Sequence, residues 1–131
     1  MFLNELTSEQ KKAFLAIAMK IIGADGLLDP RERRMIETMR YETGLWNETD
    51  LPKGTIEELA QPFDTRKART VVMLESIALV YADEEYAEEE AKILRALALM
   101  FEFTEEEANS MDDWVRRYKN LLAEATDMLA K

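Results

Sequence analysis

Two short acidic turns, each set between apolar helical runs, constrain this chain more than any other feature. The first reads Ala24-Asp25-Gly26-Leu27-Leu28-Asp29-Pro30-Arg31-Glu32, and the second Ala82-Asp83-Glu84-Glu85-Tyr86-Ala87-Glu88-Glu89-Glu90. An offset of 58 residues, the separation of Asp25 and Asp83, also superposes Ala24 on Ala82 and Glu32 on Glu90. The same offset places apolar Met35, Ile36 and Met39 on Ile93, Leu94 and Leu97. A register shared by charged and apolar positions is the mark of an internal duplication. The chain therefore reads as one domain, 1–131, built from two pseudo-repeated helix–acidic turn–helix units at about 7–62 and 64–131.

Helical signals run along the whole chain. Met1 to Leu6 is a short segment that docks through Phe2 and Leu3. Thr7-Ser8-Glu9-Gln10 is a capping box, and Phe14, Ile17, Ala18, Ile21 and Ile22 behind it form one helical face. Gly26 supplies a left-handed stop. Asp29 then caps a second helix with Pro30 in its first position, Glu32 completing the box and Met35, Ile36 and Met39 as its stripe. Gly44 ends it, and a connection from Leu45 to Gly54 follows, with Trp46 expected to plug the core beside it.

The second half repeats the scheme. Thr55-Ile56-Glu57-Glu58 opens a short helix stopped by Pro62, and Asp64 is the expected cap of the next. That helix carries Ala68, Val71, Val72, Leu74, Ile77, Ala78 and Tyr81; the period of three to four outweighs the strand preference of the β-branched pair. A fifth helix bears Ala91, Leu94, Leu97, Ala98 and Phe101. The last, behind the box Thr104-Glu105-Glu106-Glu107, shows a heptad seam of Ala108, Met111, Val115, Tyr118, Leu122, Ala125 and Leu129. The fold class is all-α, a compact bundle of about six to seven helices.

Composition removes whole classes of chemistry. The chain has no cysteine and no histidine, so thiolate and imidazole metal sites and Ser-His or Cys-His nucleophiles are excluded. Any metal must be held by oxygen. A net charge of −10 opposes nucleic-acid binding and suits cations or basic partners. No apolar run approaches the roughly 20 residues of a membrane span, and the N-terminus lacks the pattern of a signal peptide. A cytoplasmic location is the expectation. With no strand scaffold, phosphate-binding glycine loop or activated nucleophile, the chain reads as non-catalytic, without an organic cofactor.

In each turn an Asp at a helix end and a Glu in the next helix's first turn lie seven residues apart. Packed about a pseudo-twofold axis, Asp25, Glu32, Asp83 and Glu90 converge. Two carboxylates 5 Å apart repel by about 3 kcal/mol at an effective dielectric of 20, so such a cluster splays, holds protons or shares a cation. Calcium, magnesium or manganese suits carboxylate and carbonyl oxygens. Helix capping and the helix dipole account for Glu32 without a metal, but not for Asp25 or Asp83, which stand at helix C-termini. Neither turn has the ligand spacing of an EF-hand.

The segments Ala24-Asp25-Gly26, Asp29-Pro30-Arg31-Glu32, Tyr81-Ala82-Asp83 and Glu88-Glu89-Glu90 resemble the TerB tellurite-resistance family, as do Phe2-Leu3-Asn4-Glu5-Leu6 and the helix order across nearly the whole chain. Related acidic domains stand at the front of some membrane-anchored J-domain co-chaperones. The resemblance implies an all-helical domain of two halves with an acidic patch that binds divalent metal, and protein partners of the stress response at the inner face of a bacterial membrane. By position it implies Asp25, Glu32, Asp83 and Glu90 as the acidic residues. The chain departs from the family pattern at Glu84, where a turn glycine is usual, and at Ala87, where a capping Ser or Asp stands.

Two surfaces remain. Between Asp83 and Glu107 ten acids face only Lys92 and Arg95, which reads either as solvated helix starts or as a docking face; a metal-free interaction domain is the alternative to a cation-binding one. The last helix bears Trp114, Arg116, Arg117 and Lys119 beside its seam. That seam either packs on the body or, where the helix outruns the body, makes a homodimer or partner contact.

Overall fold

A computed structural model describes residues 1–23, 30–47, 50–81 and 88–131. Asp25, Gly26, Asp29, Asp83, Glu84 and Ala87, on which several expectations fall, lie outside the described residues. A 3₁₀ turn at Leu3–Glu5 precedes α1 (Ser8–Ile22), α2 (Pro30–Thr43), α3 (Ile56–Leu59), α4 (Arg66–Val80), α5 (Glu88–Met100) and α6 (Glu105–Leu129). No strand occurs among the described residues, as the periodicity predicts.

The 58-residue offset recurs in the element bounds. The offset of Asp83 from Asp25 carries Ser8 to Arg66 and Ile22 to Val80, the two ends of α1 and α4. The caps repeat as well. Thr7 Oγ1 accepts the Gln10 N–H at 3.2 Å, and Thr65 Oγ1 accepts the Ala68 N–H at 3.1 Å. Asp64, the expected cap, stands one residue too early, because α4 starts at Arg66 and the extended residue before it is Thr65.

At the far ends of α2 and α5 the chain twice makes the same left-handed stop. Gly44 has φ 75° and Glu102, its counterpart, φ 62°. The Leu45 N–H donates to the Arg40 carbonyl at 2.9 Å, and the Phe103 N–H to the Ala98 carbonyl at 2.9 Å. The inner bonds, Gly44 to Tyr41 and Glu102 to Leu99, match at 3.2 and 3.1 Å. These are paired Schellman stops; the first has the glycine that the geometry favours and the second does not.

α1 and α4 pack against each other at the centre, with α2 on α1 and α5 on α4. Phe14, Ile17, Ile21 and Ile22 of α1 meet a core that includes Val72, Met73, Leu79 and Val80 of α4. Helices that are apolar on most sides are buried in this way. Symmetry breaks where α6 lies on α4: Ile77 is buried, whereas its counterpart Met19 on α1 is 48% exposed. Leu3 and Leu6 anchor the N-terminal segment in the core, while Phe2 stays partly exposed against Trp114. Trp46, expected to plug the core, is 67% exposed. Leu45, the outer residue of the α2 stop, packs against the core instead.

Glu102→Gly is expected to stabilise the protein. Relief of about 1–2 kcal/mol of left-handed strain outweighs the roughly 0.5–1 kcal/mol of added chain entropy. The net gain of about 0.5–1 kcal/mol is measurable by urea unfolding, and Gly44→Ala should shift the midpoint the opposite way.

Candidate functional site

Glu32 and Glu90 occupy the third position of α2 and of α5, the same register in each half. Each is 5% exposed. The charged residues beside them are not buried: Arg31, Arg33, Glu88 and Glu89 of the same turns are all exposed. A glutamate placed at a helix start only for its dipole can stay in water. Burying its carboxylate is costly unless a partner compensates; both residues are engaged by a neighbour. Asp25 and Asp83, the other two expected ligands, lie outside the described residues. Among the described residues no group of three or more acidic side chains gathers within reach of one ion.

A third buried acid is absent from the sequence reading. Glu75, in the middle of α4, is 3% exposed and stands where the first half has Ile17. Its Oε1 accepts the Phe2 N–H at 2.7 Å and lies 2.9 Å from the Met1 ammonium, which also reaches Glu42 at 3.4 Å. Burial alone would lower the pKa of that ammonium. The hydrogen bond and charge of Glu75, with help from Glu42, outweigh it and leave the pKa above its ordinary 8.0. The repeat held the signal: an acid in register with Ile17 departs from an otherwise apolar face.

Glu75 and Glu42 line a cleft of about 450 Å³ between α2, α4 and α6. Met35 and Ala78 are on its walls, with Arg31 and Arg34 on one side and Tyr118, Lys119 and Leu122 on the other. Lys119 donates to the Tyr81 carbonyl, and desolvation lowers its pKa. Tyr81 in turn donates its hydroxyl to Asp112 at 2.8 Å, tying the end of α4 to α6 beside the second acidic turn.

Comparison with protein-family models, with characterised proteins and with solved structures finds no match to this chain. No helix among the described residues is long and apolar enough to cross a membrane.

The Glu75 contacts predict a pH dependence. A raised ammonium pKa stabilises the fold fully below pH 8, and that contribution is lost as pH rises through the folded-state value. Glu75→Gln should cost about 1–3 kcal/mol near neutral pH and flatten the alkaline decline in stability. Unfolding curves at a series of pH values measure both; a decline that persists unchanged in the variant would contradict the assignment.

Proposed function

We propose that this chain is a TerB-like, non-catalytic module that holds a divalent cation between its two acidic turns and links to protein partners. The setting is a cytoplasmic one, in bacterial stress or tellurite resistance, beside the inner membrane face. The proposed ligands are Asp25, Glu32, Asp83 and Glu90, with calcium, magnesium or manganese as the ion. The family assignment rests on the motifs of the two turns and on the helix order.

The observation that carries the cation reading is the twin burial of Glu32 and Glu90. A duplicated domain that only needed negative charge at two helix starts would leave both side chains in water, as it leaves Glu88 and Glu89. Instead the glutamate in the same register of each half is buried. A cation there offsets the mutual repulsion of the acids and their desolvation, and backbone carbonyls of the turns complete an oxygen-only ligand set.

A metal-free interaction domain is the second reading, favoured by the exposure of Glu88, Glu89, Glu102, Glu105 and Glu106. These acids offer a broad solvated face to a basic partner without any ion.

Thermal unfolding with added calcium, magnesium or manganese separates the two. At a free ion concentration 100 times the dissociation constant, specific binding should stabilise the fold by about 2.7 kcal/mol. Asp25→Asn combined with Asp83→Asn should abolish that gain. An equal small shift with every ion, retained by the double variant, would mean charge screening and favour the metal-free reading.

A further inference from the structure

α6 spans 25 residues, yet Val115 is its one buried residue and every residue from Asn120 onward is exposed. The heptad seam read from the sequence thus divides in two. Met111, Val115 and Tyr118 lie against the body, whereas Leu122, Ala125 and Leu129 are left in water. Leu121 and Met128 are exposed as well. A second apolar seam, rotated slightly from the first, begins at half-buried Trp114 and Tyr118 and continues through exposed Leu121, Ala125 and Met128, at steps of four, three, four and three. A run of apolar side chains at that spacing is the seam of a paired helix. Contiguous exposed patches of this kind mark association surfaces.

We infer that the occupant is a second copy of this chain, its α6 running antiparallel to the first about a twofold axis near Leu121. The flanking charges favour that arrangement. Arg117 and Glu124 stand seven residues apart on the same flank of the seam, on opposite sides of Leu121. In an antiparallel pair, equivalent flanks face one another, so Arg117 of each copy meets Glu124 of the other, twice by symmetry. In a parallel pair that flank faces the flank carrying Leu122 and Leu129, and the charges find no opposite. Arg117 Nε already reaches Asp113 at 3.0 Å, which holds the guanidinium on this flank with its other N–H groups available. A self-complementary patch of this sort closes at the dimer.

The overlap from Trp114 to Met128 extends for about 22 Å of helix. It sets Met128 of each copy beside Trp114 of the other, where Trp114 already stacks on Tyr118 at 5.4 Å between ring centroids. The seam residues are distinct from the proposed cation ligands, so the contact needs no bound ion.

Sedimentation velocity of the full chain in chelator tests this without involving the cation site. The expected result is a concentration-dependent dimer that weakens with salt. Leu121→Lys, which sets two ammonium groups against each other on the axis, should give a monomer whose thermal unfolding matches that of the dilute wild type. Arg117→Glu or Glu124→Arg alone should weaken association about tenfold or more, and the two together should restore it. A wild-type chain that stays monomeric at high concentration, a dimer indifferent to Leu121→Lys, or a double variant as weak as the singles would each overturn the inference.

Discussion

The packing of α1 against α4 is the contact on which the rest of the molecule depends. Each is the first helix of its half, and each is buried along most of its length. Because the two are equivalent in sequence register, the acidic segment that follows one stands in the same place as the acidic segment that follows the other. The acidic turns follow from that position: α1 leads into one and α4 into the other. Hydrophobic burial along this pair supplies the rigid frame, at about 25 cal/mol for each Å² of apolar surface removed from water. The polar residues at issue are attached to that frame rather than stabilising it.

The second half shows what the frame tolerates. Glu75 replaces the isoleucine of the first half, and Ser76, fully buried, replaces Ala18. Glu75 is compensated by the Phe2 N–H and the Met1 ammonium, which converts an awkward core acid into an anchor for the N-terminal segment. Ser76 Oγ has no hydrogen-bond partner among the described residues. The first half keeps the apolar residue at both positions. α6 adds to the asymmetry by packing on α4, so the bundle is a twofold core with one-sided additions.

Much of this was legible in the residues. Threonine boxes at Thr7 and Thr104, an apolar period near 3.6 and a repeat in strict register define helices; the structure places both boxes where they were read, and Thr55, read only as the opening of a short helix, makes a third. Errors arose where local signals compete. Asp64 and Thr65 are both good caps, and only the packed position of α4 chooses between them. Trp46 is large and apolar, but it follows a tight Schellman stop in which Leu45 takes the inward place, so the ring is carried outward. Glu75 was missed because a charge on an apolar stripe reads as a break in the stripe until its partner, distant in sequence, is known. For the acidic site, the sequence pointed to Glu32 and Glu90 through their register, and burial adds what register cannot supply.

The central claim is that duplication has placed two buried glutamates so that both halves serve one cation. Paramagnetic broadening of backbone amide resonances by substoichiometric manganese tests it most directly, because the effect falls off steeply with distance from the ion. The account predicts that amides at the starts of α2 and α5 broaden together and at the same low manganese concentration, while those of the exposed acids at the start of α6 stay sharp. Broadening confined to one half, or spread across Glu102, Glu105 and Glu106 in proportion to surface charge, would contradict it.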